Sequence, residues 1–398
     1  MKRYTFILVL FFFWTLAGQA QNPVDYEHLA YVKSHWREIE NGSAAMEALI
    51  LRADEALQAR VVPVTEKTRV AASGDPHDYA SMAPYSWPDP SKPDGLPYIT
   101  RDGERNPELR QYDRIKIDGL SQTVNPLAYA YYFTGKEKYA EKAVSDLKKW
   151  FLDPETRMNP NFDYAQMVPG RNEGKGRAAG LIDGYSFIEI VDCIALLKGS
   201  QAMTEGVLAG LKQWFSDFAD WFLTNPIGLQ EGVATNNHSI AYDVQVAAYA
   251  GFAGRRIVVE EICRRFPSLR LFKQIEPDGS QPRELDRTMA MHYTIYNLDH
   301  MMDMEVLARR IGRSVLDVES SDGRSFAKAL AFIAPYLGKP QDEFPYRQIN
   351  DWEGNRQKLC WTLYRSTLFQ PNPAYGEWFG QYNQAKPEEF NWIRFGQR

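Results

Sequence analysis

The stretch that decides the fold covers residues 119–151 and reads GLSQTVNPLAYAYYFTGKEKYAEKAVSDLKKWF. Apolar residues recur at three- and four-residue steps on both sides of its centre, which is the spacing of amphipathic helices. Thr134 and Gly135 stand between the two halves and mark a helix stop followed by a restart. The stretch therefore predicts a helix hairpin, with one helix over 119–133 and the other over 136–151.

Helical patterns of the same kind extend outward from this hairpin in both directions, whereas alternating strand patterns are scarce. No fixed-length repeat is visible, which disfavours a helical solenoid. Serial hairpins separated by long functional loops predict an all-α fold, an (α/α) toroid built as an incomplete barrel of helix hairpins. The periodicity does not fix the number of hairpins. The further predicted helical segments are 26–60 with a break near Gly42, 181–197, 203–223, 236–251, 255–265, 286–311 as one helix or two, 325–336 and 357–366.

Two long segments, 61–106 and 153–176, lack helical periodicity and are rich in loop-forming residues. Long irregular segments in a compact protein are usually functional or disordered. The first segment carries Tyr79, Tyr85 and Trp87 within nine residues, and such a density of aromatic rings argues against disorder. We expect this segment to form the wall of a cleft.

The N-terminus has the three-part pattern of a secretory signal peptide. Lys2 and Arg3 are followed by an apolar run over 7–14 and by small residues up to Ala20. A membrane anchor, the alternative, needs a longer span of about 20 apolar residues. We therefore predict a signal peptide over 1–20, and a secreted or periplasmic protein whose residues 21–398 form one domain without a membrane segment.

Composition excludes some partners and leaves others open. The formal net charge of −5 argues against nucleic acid, although a local basic cleft can still attract an acidic sugar. The 10 Trp and 22 Tyr residues suit sugar stacking as well as core packing. Cys193, Cys263 and Cys360 have no metal-ligand spacing and are expected to be buried free thiols. We predict no metal and no cofactor, and the oligomeric state stays open.

Two short motifs carry candidate chemistry. Thr-Asn-Asn-His at 235–238 falls at the predicted start of a helix, where an Asn is often only a cap. The run IEPDGSQPRELDR at 275–287 reads as a turn that feeds a helix with Arg287, Tyr293 and Tyr296 on it. Arg283 and Arg287, four residues apart, would share a face of that helix. The plain alternative is an ordinary amphipathic helix with aromatic core residues.

These motifs, together with YSWPDP at 85–90 and DGERNP at 102–107, resemble the alginate lyase superfamily over about residues 79–365. The resemblance is to the branch that includes polysaccharide lyase family 38 and, more distantly, to family 5. It implies an (α/α) toroid and β-elimination of β-1,4-linked mannuronate or glucuronate. The family 5 active site combines an Asn-His pair, an Arg and a Tyr, which by motif correspond to Asn237, His238, Arg287 and Tyr293.

The chemistry that this resemblance implies assigns a role to each of these four residues. A uronate lyase removes the proton at C5 and then expels the oxygen at C4, and in mannuronate and glucuronate both lie on one face, so Tyr293 is expected to serve as base and then as acid. Asn237 and Arg287 would neutralise the carboxylate. Arg287 and His238 are expected to lower the pKa of Tyr293 from its ordinary value of about 10. In guluronate the two groups lie on opposite faces, and His238 would then be the base.

Further side chains are expected to bind the polysaccharide, and two other functions stay open. A glycoside hydrolase on the same toroid would need two carboxylic acids, for which Asp183, Asp278 and Glu284 are candidates without a distinctive pair. A non-catalytic glycan-binding protein would have no need of Tyr293. The favoured prediction is a lyase for alginate, with polymannuronate preferred, or for glucuronan. The expected substrate-binding residues are His77, Tyr79, Tyr85, Trp87, Gln166, Arg171, Arg177, Arg283 and Tyr296.

Overall fold

Helices dominate the computed structural model, which describes residues 22–397. Short strands occur only in the two long irregular segments of this part of the chain. The helices are α1 (Tyr26–His35), α2 (Gly42–Ala56), α3 (Arg114–Thr134), α4 (Glu137–Phe151), α5 (Ser186–Leu196), α6 (Glu205–Thr224), α7 (Pro226–Gly232), α8 (Asn237–Phe252), α9 (Arg256–Phe266), α10 (Phe272–Gln274), α11 (Pro282–Leu285), α12 (Ala290–Arg309), α13 (Phe326–Ile333), α14 (Trp352–Ser366), α15 (Pro373–Tyr382) and α16 (Asn391–Phe395). The strands are β1 (Ala80–Met82), β2 (Ser86–Trp87), β3 (Ile99–Thr100) and β4 (Tyr164–Met167).

The hairpin predicted over 119–151 is confirmed. Helix α3 ends at Thr134, and Gly135 follows with φ of +67°, a left-handed conformation that glycine adopts without steric cost. Helix α4 then begins at Glu137. Its buried residues recur at three- and four-residue steps, as the periodicity requires.

The inner helices of the toroid are α3, α5, α8, α12 and α14, each packed on the next in that order. They are the more buried row, since α5, α8 and α12 bury residues on all sides whereas α6 and α9 bury only one face. In chain order each inner helix is followed by an outer one, namely α4, α6, α9, α13 and α15. The predicted all-α (α/α) toroid is confirmed.

One helical prediction is wrong in a way that matters for the site. Residues 286–289 are not helical and separate α11 from α12. The backbone N–H of Thr288 donates to the Asp102 side chain, and Met289 forms an isolated bridge with Gln348. These pairings with distant segments replace helical hydrogen bonds. Arg287 therefore lies in a turn, and Arg283 and Arg287 do not share a helix face.

The inner helices present their N-terminal ends to one side of the toroid. The first residue of α8, Asn237, bonds Glu284 just before α12, and His292 near the start of α12 bonds Asn355 near the start of α14. Both long loops reach the same region, where β1 pairs with β4 in parallel. Helix N-termini carry partial positive charge, so this side of the fold favours anions.

The segment at 22–25 is tied into the opposite side of the fold by buried polar contacts. The Asn22 side chain donates to Asp303 at 2.9 Å, and the Val24 backbone N–H donates to Asp192 at 2.6 Å. Arg394 donates to the Asn22 carbonyl, which joins the two ends of the described chain. Because Asp192 and Asp303 are both at most 2% exposed, these contacts satisfy charges that water does not reach.

Three other sequence-based expectations concern export and the cysteines. The signal peptide expected over 1–20 lies outside the described residues. Within residues 22–397 no helix has the length and apolar character needed to span a bilayer. The three cysteines are buried and free, as expected.

Candidate active site

Tyr293 lies in the first turn of α12 and is 7% exposed. Its hydroxyl is 2.9 Å from the hydroxyl of Tyr85, which the first long loop supplies. The guanidinium of Arg287 stacks on the Tyr293 ring, 3.7 Å from the ring centroid. Arg287 and Tyr85, both predicted site residues, therefore contact Tyr293 directly.

The pKa of Tyr293 moves in the direction opposite to the one expected. Burial raises the pKa of Tyr293 well above its ordinary value, the neighbouring Tyr85 adds to the rise, and the charge of Arg287 opposes it. The expectation that the site lowers this pKa is therefore wrong for the protein without substrate. The resting group is a neutral phenol, and its phenolate would be a strong base.

Arg287 is held by Asp102, which stands in the quoted motif at 102–107 but received no role from the sequence. The Arg287 Nη2 and Nε atoms lie 2.6 and 3.2 Å from the two Asp102 carboxylate oxygens. Thr288 donates to the same carboxylate through its hydroxyl at 2.9 Å. Burial alone would raise the pKa of Asp102, but the bonds from Arg287 and Thr288 outweigh it and hold that pKa below its usual range. One edge of the guanidinium fork is thus already occupied.

Asn237 is 1% exposed and is anchored by Glu284. Its backbone N–H and its side-chain Nδ2 donate to the two Glu284 carboxylate oxygens at 2.6 and 2.8 Å. Burial raises the pKa of Glu284, and the two bonds from Asn237 oppose the rise. Asn236 takes the N-cap position of α8 without a capping bond, so the cap interpretation does not apply to Asn237.

His238 borders a cleft of about 710 Å³. Its Nδ1 lies 2.6 Å from a carboxylate oxygen of Glu231, which is 4% exposed. A hydrogen on Nδ1 leaves Nε2 as the acceptor of the neutral ring. The cleft is lined by Asn172, Lys175, Gly176, Arg177, Ala178, Ala179, Ile227, Gln230, Glu231, Ala234, Asn236 and His238.

The expected substrate-binding residues divide between exposed and buried positions. Tyr79 is 0% exposed and donates to Asp183 at 2.9 Å, so the expectation that it contacts a sugar is wrong. Its ring packs on Phe162 in the core, because the loop turns it inward. His77 bonds the Arg157 carbonyl on the second loop.

Trp87 and Tyr296 lie on the walls of this side of the toroid. The Trp87 indole donates to the Glu104 carbonyl at 2.9 Å and fixes the β2–β3 ribbon. The Tyr296 ring lies 4.0 Å from the His300 ring, centroid to centroid, at a tilt of 60°, and it is nearly parallel to the His292 ring at 5.8 Å. Burial lowers the pKa of His300 to about 3 and that of His292 to about 4, so both rings are neutral.

The polar residues of the second loop and of α11 differ in how firmly they are held. Gln166 is 5% exposed and accepts a hydrogen bond from Arg177 at 2.8 Å. Arg177 lines the cleft beside His238. Arg171 and Arg283 are exposed on the surface.

The carboxyl groups proposed for a hydrolase do not form a pair across a cleft. Asp183 accepts hydrogen bonds from Tyr79, Ser81 and Gln166. Glu284 accepts hydrogen bonds from Asn237. Asp278 accepts from the backbone of Ser280 in a turn. Each carboxyl thus has a structural hydrogen-bonding role.

Sequence reasoning did not predict that three acids orient the site residues. They are Asp102, Glu231 and Glu284. Asp102 lies 185 residues before Arg287, a separation that local patterns do not bridge. Glu231, seven residues before His238, was within reach of a search for acidic residues beside a candidate base. Glu284 stood inside the quoted motif.

Comparisons with known proteins agree with this architecture. A family model described as Alginate lyase matches residues 63–344. A search of curated proteins found no match. Among solved structures, an alginate lyase from Bacteroides ovatus is 46% identical, with a TM-score of 0.91 over 94% of this chain and 98% of that one.

More distant structures share the fold. Alginate lyase A1-III from Sphingomonas species A1 is 15% identical, with a TM-score of 0.53 over 92% of this chain and 99% of that one. A variant of A1-III complexed with a tetrasaccharide is 14% identical, with a TM-score of 0.57 over 92% and 98% of the two chains. At these identities the likeness concerns the fold alone.

Proposed function

The chain belongs to the alginate lyase family, and from this membership we propose that it is a secreted polysaccharide lyase that cleaves β-1,4-linked uronic acid polymers by β-elimination. The preferred substrate is polymannuronate, the mannuronate form of alginate, with glucuronan as the alternative. The observation that carries the proposal is the Tyr293 phenol, which contacts Arg287 and Tyr85 at the side of the toroid where helix N-termini meet.

Tyr293 acts first as base and then as acid. Its phenolate takes the C5 proton, electrons move into the C4–C5 bond, and the O4 linkage breaks. The same phenol then returns the proton to O4, since both groups leave from one face in mannuronate and glucuronate. The products are an unsaturated sugar and a new reducing end, and atoms and charge balance without a second acid.

The surroundings of Tyr293 favour proton transfer once the phenolate forms. The Arg287 cation stabilises negative charge on the ring that it covers. The hydroxyl of Tyr85, 2.9 Å away, can donate to the phenolate oxygen. Because burial raises the pKa of Tyr293, the phenolate is scarce at neutral pH but strongly basic.

The carboxylate next to C5 must be held by donors, because the intermediate adds negative charge to it. Arg287 keeps its Nη1 hydrogens outside the Asp102 pair, and Asn237 keeps one amide hydrogen outside the Glu284 pair. Removing one donor of this kind typically slows an enzyme about 10²- to 10³-fold. Asp102 and Glu284 fix where these donors point.

His238 is the base for guluronate. Elimination there needs a proton acceptor on the opposite face of the sugar from Tyr293. In the neutral form of the ring, a hydrogen on Nδ1 directed at Glu231 leaves Nε2 as the acceptor. Action on polyguluronate alone would therefore contradict a mechanism that uses only Tyr293.

The test is turnover and binding by Tyr293→Phe. We expect wild type to give a rising ultraviolet absorbance from the unsaturated product on polymannuronate or glucuronan. The variant should bind the polymer as wild type does but react about 10²- to 10⁴-fold more slowly, the usual contribution of a general acid–base group. Polyguluronate and hyaluronan complete the screen. Wild type without such a product on any of the four polymers would overturn the proposal.

Export is the remaining part of the proposal. The basic start, apolar run and small residues before Gln21 support cleavage after Ala20. N-terminal sequencing of the protein recovered outside the cytoplasm should begin at Gln21.

A further inference from the structure

We infer that Arg177 binds a carboxylate of the polymer on a sugar next to the one that reacts, and that Gln166 is the positioning residue that aims it. This inference rests on the proposed function, because it takes the substrate to be a polymer of uronic acids. It concerns the cleft beside His238 rather than the contacts around Tyr293.

The cleft has the size and position for a neighbouring sugar. Its volume of about 710 Å³ lies within the range of about 300–1,000 Å³ that is usual for ligand sites. His238, one of the four residues expected at the reaction centre, forms part of its wall. Neither Tyr293 nor Tyr85 lines it.

The charge on Arg177 is not neutralised by an ion pair with any residue in 22–397. Its Nη2 donates to the neutral amide oxygen of Gln166 at 2.8 Å, and its Nε is buried without a hydrogen-bond partner in that range. Burial lowers the pKa of Arg177, against the longer-range pull of Asp183 and Glu231. A desolvated cation without a counterion is costly, so an incoming carboxylate is bound favourably.

Other charges in the cleft leave room for an anion. Lys175 also lines it and has no ion-pair partner among the described residues. The acidic residue of the cleft wall, Glu231, is occupied by His238 Nδ1. The remaining lining residues are uncharged, so the cleft carries net positive charge toward a ligand.

Gln166 is built to face its oxygen toward Arg177. Its Nε2 donates to Asp183 at 3.0 Å, which leaves Oε1 as the atom that accepts from Arg177. The hydroxyls of Tyr79 and Ser81 hold the other Asp183 oxygen at 2.9 and 2.6 Å. Asp183 thus receives hydrogen bonds on both oxygens and fixes the orientation of the Gln166 amide.

The backbone of Gln166 carries a strain that supports a functional role. Its φ is +51°, the left-handed region that costs a residue with a side chain of this size about 1–2 kcal/mol. Strain of this kind persists where surrounding contacts enforce it, often at functional sites. Here the backbone N–H of Gln166 donates to Ser81 at 2.7 Å and holds the conformation.

The backbone on both sides of Arg177 is pinned against β4. The Arg177 N–H donates to the Ala165 carbonyl at 3.0 Å. A Cβ on Gly176 would lie 2.6 Å from Ala165 backbone atoms, and one on Gly180 would lie 2.3 Å from the Ala165 oxygen. The loop therefore fits closely against the strand, and both the backbone and the guanidinium of Arg177 are held before a ligand arrives.

The experiment compares Arg177→Met with Arg313→Met. Arg313 is exposed just after the far end of α12, and its replacement removes the same charge. Hydrogen bonds to charged groups typically account for a factor of about 10 to 100 in binding. We expect Arg177→Met to raise KM on polymannuronate or glucuronan by that factor with kcat within about threefold of wild type. Arg313→Met should leave both constants unchanged.

Two further variants separate a change in the orientation or charge of Arg177 from a loss of folding. Gln166→Leu removes the amide oxygen that accepts from Arg177 and adds no charge beside Asp183, so KM should rise in the same direction as for Arg177→Met. Arg177→Lys keeps the charge and should restore part of the affinity. Thermal unfolding of every variant identifies any that fail to fold. If Arg177→Met is one of them, the KM values of Arg177→Lys and Gln166→Leu decide.

The outcomes distinguish this inference from the proposed function. Wild-type turnover with an Arg177→Met KM within twofold of wild type overturns the role of Arg177 alone, as does a loss in kcat with KM unchanged. Wild type that binds uronan oligosaccharides without turnover overturns the lyase, and the oligosaccharide Kd of Arg177→Met against Arg313→Met then decides the subsite. Wild type that neither binds nor reacts overturns both.

Discussion

Tyr293 is the residue on which the proposed reaction depends, and its pKa makes a prediction about pH. Only the phenolate can take a proton, and burial raises the pKa of this phenol above its ordinary value of about 10. Below that pKa the phenolate fraction grows about tenfold for each pH unit. We therefore expect kcat/KM to rise from pH 7 to pH 9 without a plateau.

The measurement is the initial rate of ultraviolet absorbance at low substrate concentration across that range. Preincubation at each pH followed by assay at pH 7 separates ionisation from inactivation. A rate that levels off or falls above pH 7, with the protein intact, would mean that another group is the base.

The sequence motifs predicted four site residues, but they did not predict the side chains that hold these residues in position. Asn237, His238, Arg287 and Tyr293 carry motif information, because each stands in a recognisable local run. The carboxylate partners of Arg287 and Asn237 are 185 and 47 residues away, and hydrogen bonding between distant residues leaves no periodic trace. Tyr79 was misjudged for the same reason, since its inward direction depends on Asp183, 104 residues away.

Among the elements, the loop that carries Arg177 is held by the close approach of Gly180 to β4. We expect Gly180→Ala to lower the free energy of unfolding by about 1–3 kcal/mol, the usual cost of overpacking, because its Cβ would meet the Ala165 oxygen at 2.3 Å. Urea denaturation measures the change.

The matched control is Gly119→Ala in α3, where a Cβ would meet nothing within 4 Å. There the replacement should stabilise the helix by about 0.5–1 kcal/mol, because alanine loses less conformational entropy than glycine. Equal effects of both replacements would contradict the close packing of the loop.

Helical periodicity predicted most of the helices, and its failures have physical causes. The apolar spacing runs on through 286–311, so the break at 286–289 was not visible; Thr288 and Met289 bond distant segments there instead. Helices α15 and α16 were missed as well. Their sequences lack long runs of apolar residues at helical spacing. Packing stabilises them instead: α15 packs against α14, and α16 packs against α1 and α2.

The whole molecule depends on buried charges that join its segments. Asp192 is 2% exposed and accepts from the Val24 backbone, the Tyr26 hydroxyl and Arg310 at 2.6–2.7 Å. We expect Asp192→Ala to lower the free energy of unfolding by about 1–3 kcal/mol, because it leaves the buried Val24 N–H and the Tyr26 hydroxyl without their acceptor.

Asp322→Ala serves as the control in the same denaturation experiment. Asp322 also pairs with an arginine, Arg324, but on the exposed surface. Solvent screens that pair, so its loss should change stability far less. A similar small change for both variants would contradict a structural role for the Asp192 cluster.

Serial hairpins predicted the toroid, but they did not predict how the segment at 22–25 joins the rest of the fold. Periodicity identifies which face of a helix is apolar but not which neighbour covers it. The contacts of 22–25 with Asp192, Asp303 and Arg394 rest on residues far apart in the chain, so no local pattern predicts them.

The bond between Arg394 and the Asn22 carbonyl has a consequence for how the protein degrades. Proteolysis and thermal fraying usually start at loose segments, yet residues 22–25 and α16 hold each other in place. Detaching 22–25 would expose the carboxylates of Asp192 and Asp303, which it covers, to water. A protease that cuts within 22–25 should therefore act only during rare openings that break these buried contacts together.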